Sequence, residues 1–117
     1  MHEGAIIHSI FETAKTIKEK ENLKEISKIK IIVGQMHQVV EEIMFMYFDF
    51  MKKEYEGFEN SELKIENINI KILCNHCGKT SEINEPVFVC PHCGSMETEI
   101  IAGNELHIAS LEGMQNS

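Results

Sequence analysis

A chain of 117 residues with 43% hydrophobic content can bury one modest core and a small second unit. Its 19 acidic residues outnumber 11 basic ones, for a formal charge of −8. That balance speaks against nucleic acid as a partner, because such affinity depends on Lys and Arg neutralising phosphates, and it favours basic protein surfaces or cations.

In chain order, Ile6, Ile7, Ile10, Phe11, Ala14 and Ile17 recur at helical spacing over residues 5–17, with Glu12, Lys15 and Lys18 opposite them. The pattern predicts an amphipathic helix, and the charge run from Lys15 to Lys24 is its solvated face and end. The β-branched run Ile26 to Val33 predicts a strand ended by Gly34. From Val39 to Tyr55, the residues Val40, Ile43, Met44, Tyr47, Phe48 and Met51 predict a second helix that closes near Gly57. Met44, Met46 and Met51 on it are read as gap-filling core and not as soft-metal ligands.

Leu63 to Leu73 alternates as a long strand, but its apolar parity slips by one near Asn67, which predicts a bulge or bend. Thr98 to Glu112 again reads as extended, with Gly103-Asn104 as a turn signal. The expected fold is α+β: two helices packed on a small mixed β-sheet, with an inserted zinc-ribbon-like knuckle domain. Residues 1–72 plus 102–117 form the α+β domain, and 73–101 the metal-binding one.

The insertion carries the strongest signal in the chain. Cys74-Asn75-His76-Cys77 and Cys90-Pro91-His92-Cys93 are two Cys-x-x-Cys pairs with twelve residues between them, each followed by a glycine, Gly78 and Gly94. Such a turn directs backbone amides toward its thiolates, and the glycine accepts the positive φ that the tight turn requires. Two pairs supply the four sulfur ligands of a tetrahedral ion, with zinc the expected metal and iron the alternative. A closed four-sulfur shell offers no open position to a substrate, so its role is structural. With the thiolates bound to a divalent ion, the formal charge becomes about −10.

On spacing alone His2 reads as a solvated side chain near a terminus, and the alternative at the start of the chain is a second, different metal site. His2 is too large for routine removal of the initiator, so Met1 is expected to stay with a free amine. That amine, the backbone nitrogen of His2 and its imidazole can close fused chelate rings around one ion, with the backbone nitrogen of Glu3 as a fourth corner. A square of nitrogens suits Ni(II) or Cu(II), whereas zinc gains nothing from a planar arrangement.

Taken together, Met1-His2-Glu3, the first helix, the strand ending Val33-Gly34, the second helix, the paired Cys-x-x-Cys knuckle and the closing Gly103-Asn104-Glu105-Leu106 with Ser110-Leu111-Glu112 resemble the HypA-type hydrogenase maturation nickel chaperones. The resemblance covers essentially all 117 residues. It implies a cytoplasmic protein, not an enzyme, that binds nickel through Met1, His2 and Glu3 and zinc through Cys74, Cys77, Cys90 and Cys93. It further implies delivery of nickel to the large subunit of [NiFe]-hydrogenase together with a nickel-handling GTPase, and in some bacteria service to urease. Two positions depart from the family pattern: Gly4, where a bulkier residue is usual, and Gly34-Gln35, where the family often has Gly-Glu. Gly4 is expected to loosen the first helical turn.

The remaining histidines carry less. His76 and His92 are read as solvent-facing knuckle residues, with exchange into the zinc shell on acidification as the alternative. His8, His37 and His107 are given no ligand role. No export signal opens the chain, and its longest apolar run, Ile43 to Phe48, is too short to cross a bilayer, so a cytoplasmic location without a membrane partner is expected. Two competing functions remain on the residues alone. One is a zinc-ribbon adaptor without nickel, and the other a rubredoxin-like electron carrier built on Cys90-Pro91-His92-Cys93-Gly94. An exposed sheet edge leaves room for pairing, and a monomer or weak homodimer is expected.

Overall fold

The computed structural model describes residues 2–115, which form two compact units. Among these residues the first comprises 2–31, 39–66 and 107–115, and the second Ile32–Gln38 and Asn67–Leu106. The second unit takes in more chain than the knuckle segment 73–101, because a strand, a turn and residues 32–38 fold with it.

In the first unit, α1 (Glu3–Lys20) buries Ile7, Ile10, Phe11 and Ala14, the face its periodicity predicts. Lys18 and Lys20 in its last turn complement the negative end of the helix dipole. β1 (Leu23–Gly34) follows; its part in this unit, up to Ile31, buries Ile26, Ile29 and Ile31. It is the middle strand of a sheet ordered β2-β1-β6, flanked by β2 (Glu62–Ile68) and β6 (Leu106–Gln115). The core of the unit centres on Phe11. Its ring stacks on Phe48 at 5.0 Å and on Tyr55 at 4.7 Å, and meets Phe58 edge-on at 5.6 Å. Each such pair adds about 0.5–1.5 kcal/mol beyond the area it buries.

α2 (Glu41–Met51) is shorter than the predicted 39–55, because the chain tightens into a 3-10 turn at Lys52–Glu54. Its burial also differs from the expectation. Met44 and Phe48 are buried, but Val40, Ile43 and Tyr47 are exposed, and Met46, expected in the core, is 60% exposed. The helix is apolar on two sides, so spacing alone could not say which side meets the core.

The predicted long strand at 63–73 is two strands in two sheets. β2 ends at Ile68 and β3 (Ile70–Cys74) starts two residues later, so the parity slip near Asn67 marks a change of sheet. β3 is the middle strand of the second unit's sheet, ordered β4-β3-β5, with β4 (Thr80–Ile83) and β5 (Thr98–Ala102) antiparallel to it. Ile72 lies opposite Ser81 on one side and Ile100 on the other, with a register shift at Lys71/Ile72.

Residues 32–38 are fastened inside this second unit. Gly34 donates its amide to the Glu105 carbonyl at 2.6 Å, and Met36 donates to the Gly103 carbonyl at 2.9 Å. The approach is so close that a Cβ on Gly34 would stand 2.0 Å from the Gly103 oxygen. Gln35 ties down two further segments: its side-chain nitrogen donates to the Asn84 carbonyl, just past β4, at 2.6 Å, and its oxygen accepts the Ile70 amide of β3 at 3.4 Å. Among the described residues, no helix is long and apolar enough to cross a membrane.

Candidate functional site

The four cysteines of the second unit meet at one point. β3 delivers Cys74 at its end, the following turn brings Cys77, and a second turn of the same build presents Cys90 and Cys93. In the first turn Gly78 donates to the Cys74 carbonyl at 2.9 Å, and in the second Gly94 donates to the Cys90 carbonyl at 2.8 Å. Gly78 and Gly94 take φ of 77° and 78°, while a Cβ at either would meet nothing within 4 Å. Glycine is therefore required by backbone conformation and not by lack of room. The turns are tied to their surroundings by Cys74 N–H to the Lys79 carbonyl, Asn75 N–H to the Glu97 carbonyl and Cys90 N–H to the Ser95 carbonyl, at 2.8–2.9 Å.

One ligand atom from each cysteine lies within 4.8 Å of every other. The Cys74 and Cys93 sulfurs are 3.6 Å apart, and those of Cys77 and Cys90 3.7 Å. A tetrahedron with metal–sulfur bonds of about 2.3 Å has edges of about 3.8 Å, so these distances fit four thiolates around one ion. Cys74 and Cys90 are buried, while Cys77 and Cys93 face outward.

The local fields favour thiolate formation on the buried side. The backbone amide of Cys77, 3.4 Å from the Cys74 sulfur, lowers that thiol's pKa against the effect of burial. At Cys90 burial opposes ionisation, but the amides of Cys93 and His92 and the Cys77 thiol together bring the group down to about 6. Cys93 is pushed up to about 12: the Ser95 amide pulls it down, but burial and the neighbouring Cys74, Cys90 and Cys77 sulfurs outweigh that. The four sulfurs thus share protons that a bound cation would displace. The His76 and His92 imidazoles are exposed, and these residues serve the sulfurs through their backbone amides.

The proposed nickel ligands stand at the head of α1, with Met1 outside the described residues. His2 is the N-cap, exposed, in the left-handed region at φ 52° and ψ 32°, which non-glycine residues seldom occupy. The first ladder bond of α1 runs from Ile6 N–H to the His2 carbonyl at 3.1 Å, so the amides of His2 and Glu3 precede the ladder. Glu3 is 7% exposed, and its carboxylate accepts the Val40 amide at 2.9 Å. Gly4 has a packing role: a Cβ there would stand 3.1 Å from the Tyr47 ring. The contacts that hold the head of α1, Val40 on Glu3 and Tyr47 on Gly4, carry no signature in the sequence.

The family described as "Hydrogenase/urease nickel incorporation, metallochaperone, hypA" matches residues 1–113. The chain belongs to the HypA family. It is 35% identical over 112 residues to "Hydrogenase maturation factor HypA" of Aquifex aeolicus (strain VF5), covering 96% of each chain. To the protein of that description in Dehalococcoides mccartyi (strain ATCC BAA-2266 / KCTC 15142 / 195) it is 31% identical over 112 residues, which is 96% of this chain and 93% of that one. In fold it matches "Solution structure of the Ni metallochaperone HypA from Helicobacter pylori" with a TM-score of 0.72 at 21% identity, over 99% of this chain and 100% of that one. As a HypA protein it is a maturation factor and metallochaperone, not an enzyme. That role implies contact with other maturation proteins.

Proposed function

We propose that this chain carries Ni(II) on Met1, His2 and Glu3 and delivers it for maturation of [NiFe]-hydrogenase, while Cys74, Cys77, Cys90 and Cys93 hold a structural Zn(II). The observation that carries the reading is the family match over residues 1–113, which includes both the amino-terminal tripeptide and the knuckle. The donor chemistry agrees with it. Four thiolates with near-tetrahedral spacing suit zinc, and nitrogens from amine, amide and imidazole suit nickel.

The two units then divide the work. The zinc unit is closed, with its ligands supplied by two tight turns. The nickel ligands belong to a terminal segment in which the imidazole of His2 is exposed, so an acceptor's ligands can replace its nitrogens one at a time. Transfer needs no catalytic group. On this reading the acceptor is the hydrogenase large subunit, a nickel-handling GTPase of the same pathway is a working partner, urease maturation proteins are served as in some bacteria, and the protein works in the cytoplasm.

Calorimetric titration with Ni(II) tests this on zinc-loaded protein with its authentic terminus, beside protein carrying a short amino-terminal extension. Binding is lost in the extended form on the proposed reading. Equal binding in both forms removes Met1, His2 and Glu3 as the site and leaves a zinc-ribbon adaptor.

A further inference from the structure

α2 uses one of its two apolar sides. Met44 and Phe48 are buried in the core. A second stripe, Ile43, Met46, Tyr47 and Phe50, follows the i, i+3, i+4, i+7 spacing of one helix face and stands open, with Met46 60% and Phe50 69% exposed. A single exposed apolar side chain needs no account, but a run of them along one helix face does. Glu42 and Asp49, seven residues apart and both exposed, share the edge of the stripe beside Met46. The helix holds three acids, Glu41, Glu42 and Asp49, and no base, although Lys52, just past its end, pairs with Asp49 at 3.4 Å.

We infer that this stripe is a docking face for an amphipathic helix of a partner protein that carries Lys or Arg along one edge. The apolar row supplies the area, and the acidic edge selects the charge of the occupant. A second copy of this chain fits badly: antiparallel pairing about a twofold axis would set the Glu42 and Asp49 edges side by side. The face also belongs to the element that holds the head of α1. Val40, where α2 begins, donates to the Glu3 carboxylate, and the Tyr47 ring lies over Gly4. Resting on the nickel reading above, a partner docked here sits on the helix that positions the cargo ligands.

The test uses zinc-loaded, nickel-free protein, so that failure of the nickel site and failure of the docking face are separate results. The probes are two synthetic helical peptides of about 20 residues, each with a leucine stripe, one edged with Lys and the other with Glu. The Lys peptide is expected to bind, to shift the backbone amide resonances of residues 43–50, and to weaken as salt rises. Phe50→Ser weakens that binding by about tenfold or more with thermal unfolding unchanged, whereas Met96→Ser, an exposed methionine of the other unit, leaves it intact. The inference is overturned if the Glu peptide binds as well as the Lys peptide, or if Phe50→Ser binds like the parent. It is also overturned if sedimentation shows the protein pairing with itself through this face.

Discussion

The Glu3 carboxylate accepts the Val40 amide at 2.9 Å, so the first residue of α1 fixes the residue at which α2 begins. The Val40 carbonyl in turn accepts the Ile43 and Met44 amides at 3.1 Å. Glu3 thus brings an acid to a helix start that already carries Glu41 and Glu42, where the dipole favours negative charge.

Because position 3 is proposed to offer nickel its backbone nitrogen, its side chain should matter for the fold more than for the ion. Glu3→Ala removes the acceptor and lowers the melting temperature, while Glu3→Gln keeps an acceptor and loses less. Nickel stoichiometry by calorimetry should be unchanged in Glu3→Gln. Loss of nickel binding there with an unchanged melting temperature would assign the carboxylate to the metal instead.

Phe11 is fully buried and touches three aromatic rings, Phe48 of α2 and Tyr55 and Phe58 of the turn that follows it. Phe11→Ala leaves a cavity at that crossing and should cost about 3–5 kcal/mol. Urea unfolding followed by circular dichroism checks it. A loss under about 1 kcal/mol would mean that the site collapses freely and that the stack is not central.

Much of this was legible from residue patterns, and the exceptions have physical causes. The first helix follows from periodicity because it has one apolar face, and the first strand from its β-branched run. α2 is apolar on two sides, and the side that is buried is the one whose Phe48 stacks on Phe11, a contact that no local window contains. The parity slip at Asn67 was visible, but a bulge and a change of sheet leave the same mark in one strand's alternation. The cysteines were readable from spacing because metal ligands have few allowed arrangements. The hold of Val40 and Tyr47 on Glu3 and Gly4 was not, since it joins residues about forty positions apart through a backbone amide and a ring.

Removing the ion should act on the second unit alone. The two knuckle turns are short, and their outer cysteines, Cys77 and Cys93, are exposed, so the metal supplies much of what folds them. After chelation at neutral pH, amide resonances of residues 74–97 should lose dispersion while those of α1 and α2 persist. Unfolding of both units together would show that the first depends on the knuckle. Cys90→Ser should give the same pattern with metal present and lower metal content to below one ion per chain.

Gly34 has a steric role that differs from the conformational role of Gly78 and Gly94. A Cβ at Gly34 would meet the Gly103 oxygen at 2.0 Å and the Asn104 nitrogen at 2.6 Å, both backbone atoms that no rotamer change can move. Gly34→Ala should therefore part residues 34–36 from 103–105 and cost about 1–3 kcal/mol. Hydrogen exchange reads it directly: the Gly34 and Met36 amides lose protection. Unchanged protection at both would show that the two segments stay paired and that the added methyl group is accommodated.

Tyr55 gives the fold a pH dependence on the alkaline side. Its ring stacks on Phe11, and its hydroxyl donates to the Glu12 carboxylate at 2.8 Å. Burial first, then the hydrogen bond and charge of Glu12 and the charge of Glu54, push the phenol up to about 12 from its ordinary 10. The folded state therefore keeps a proton that the unfolded chain gives up. Below pH 10 both states hold it, and stability from this group is fully present. As pH rises from about 10 to about 12 the unfolded chain ionises first, and stability falls by up to one proton's slope; above that both states are ionised and the slope vanishes. Tyr55→Phe retains the ring stack and removes the ionisation. Urea midpoints for both proteins at intervals between about pH 9 and pH 12 should diverge, with the parent losing stability more steeply than the variant. Parallel curves would mean that Tyr55 ionises equally easily in the folded and unfolded chains, and that its contact with Glu12 does not persist in solution.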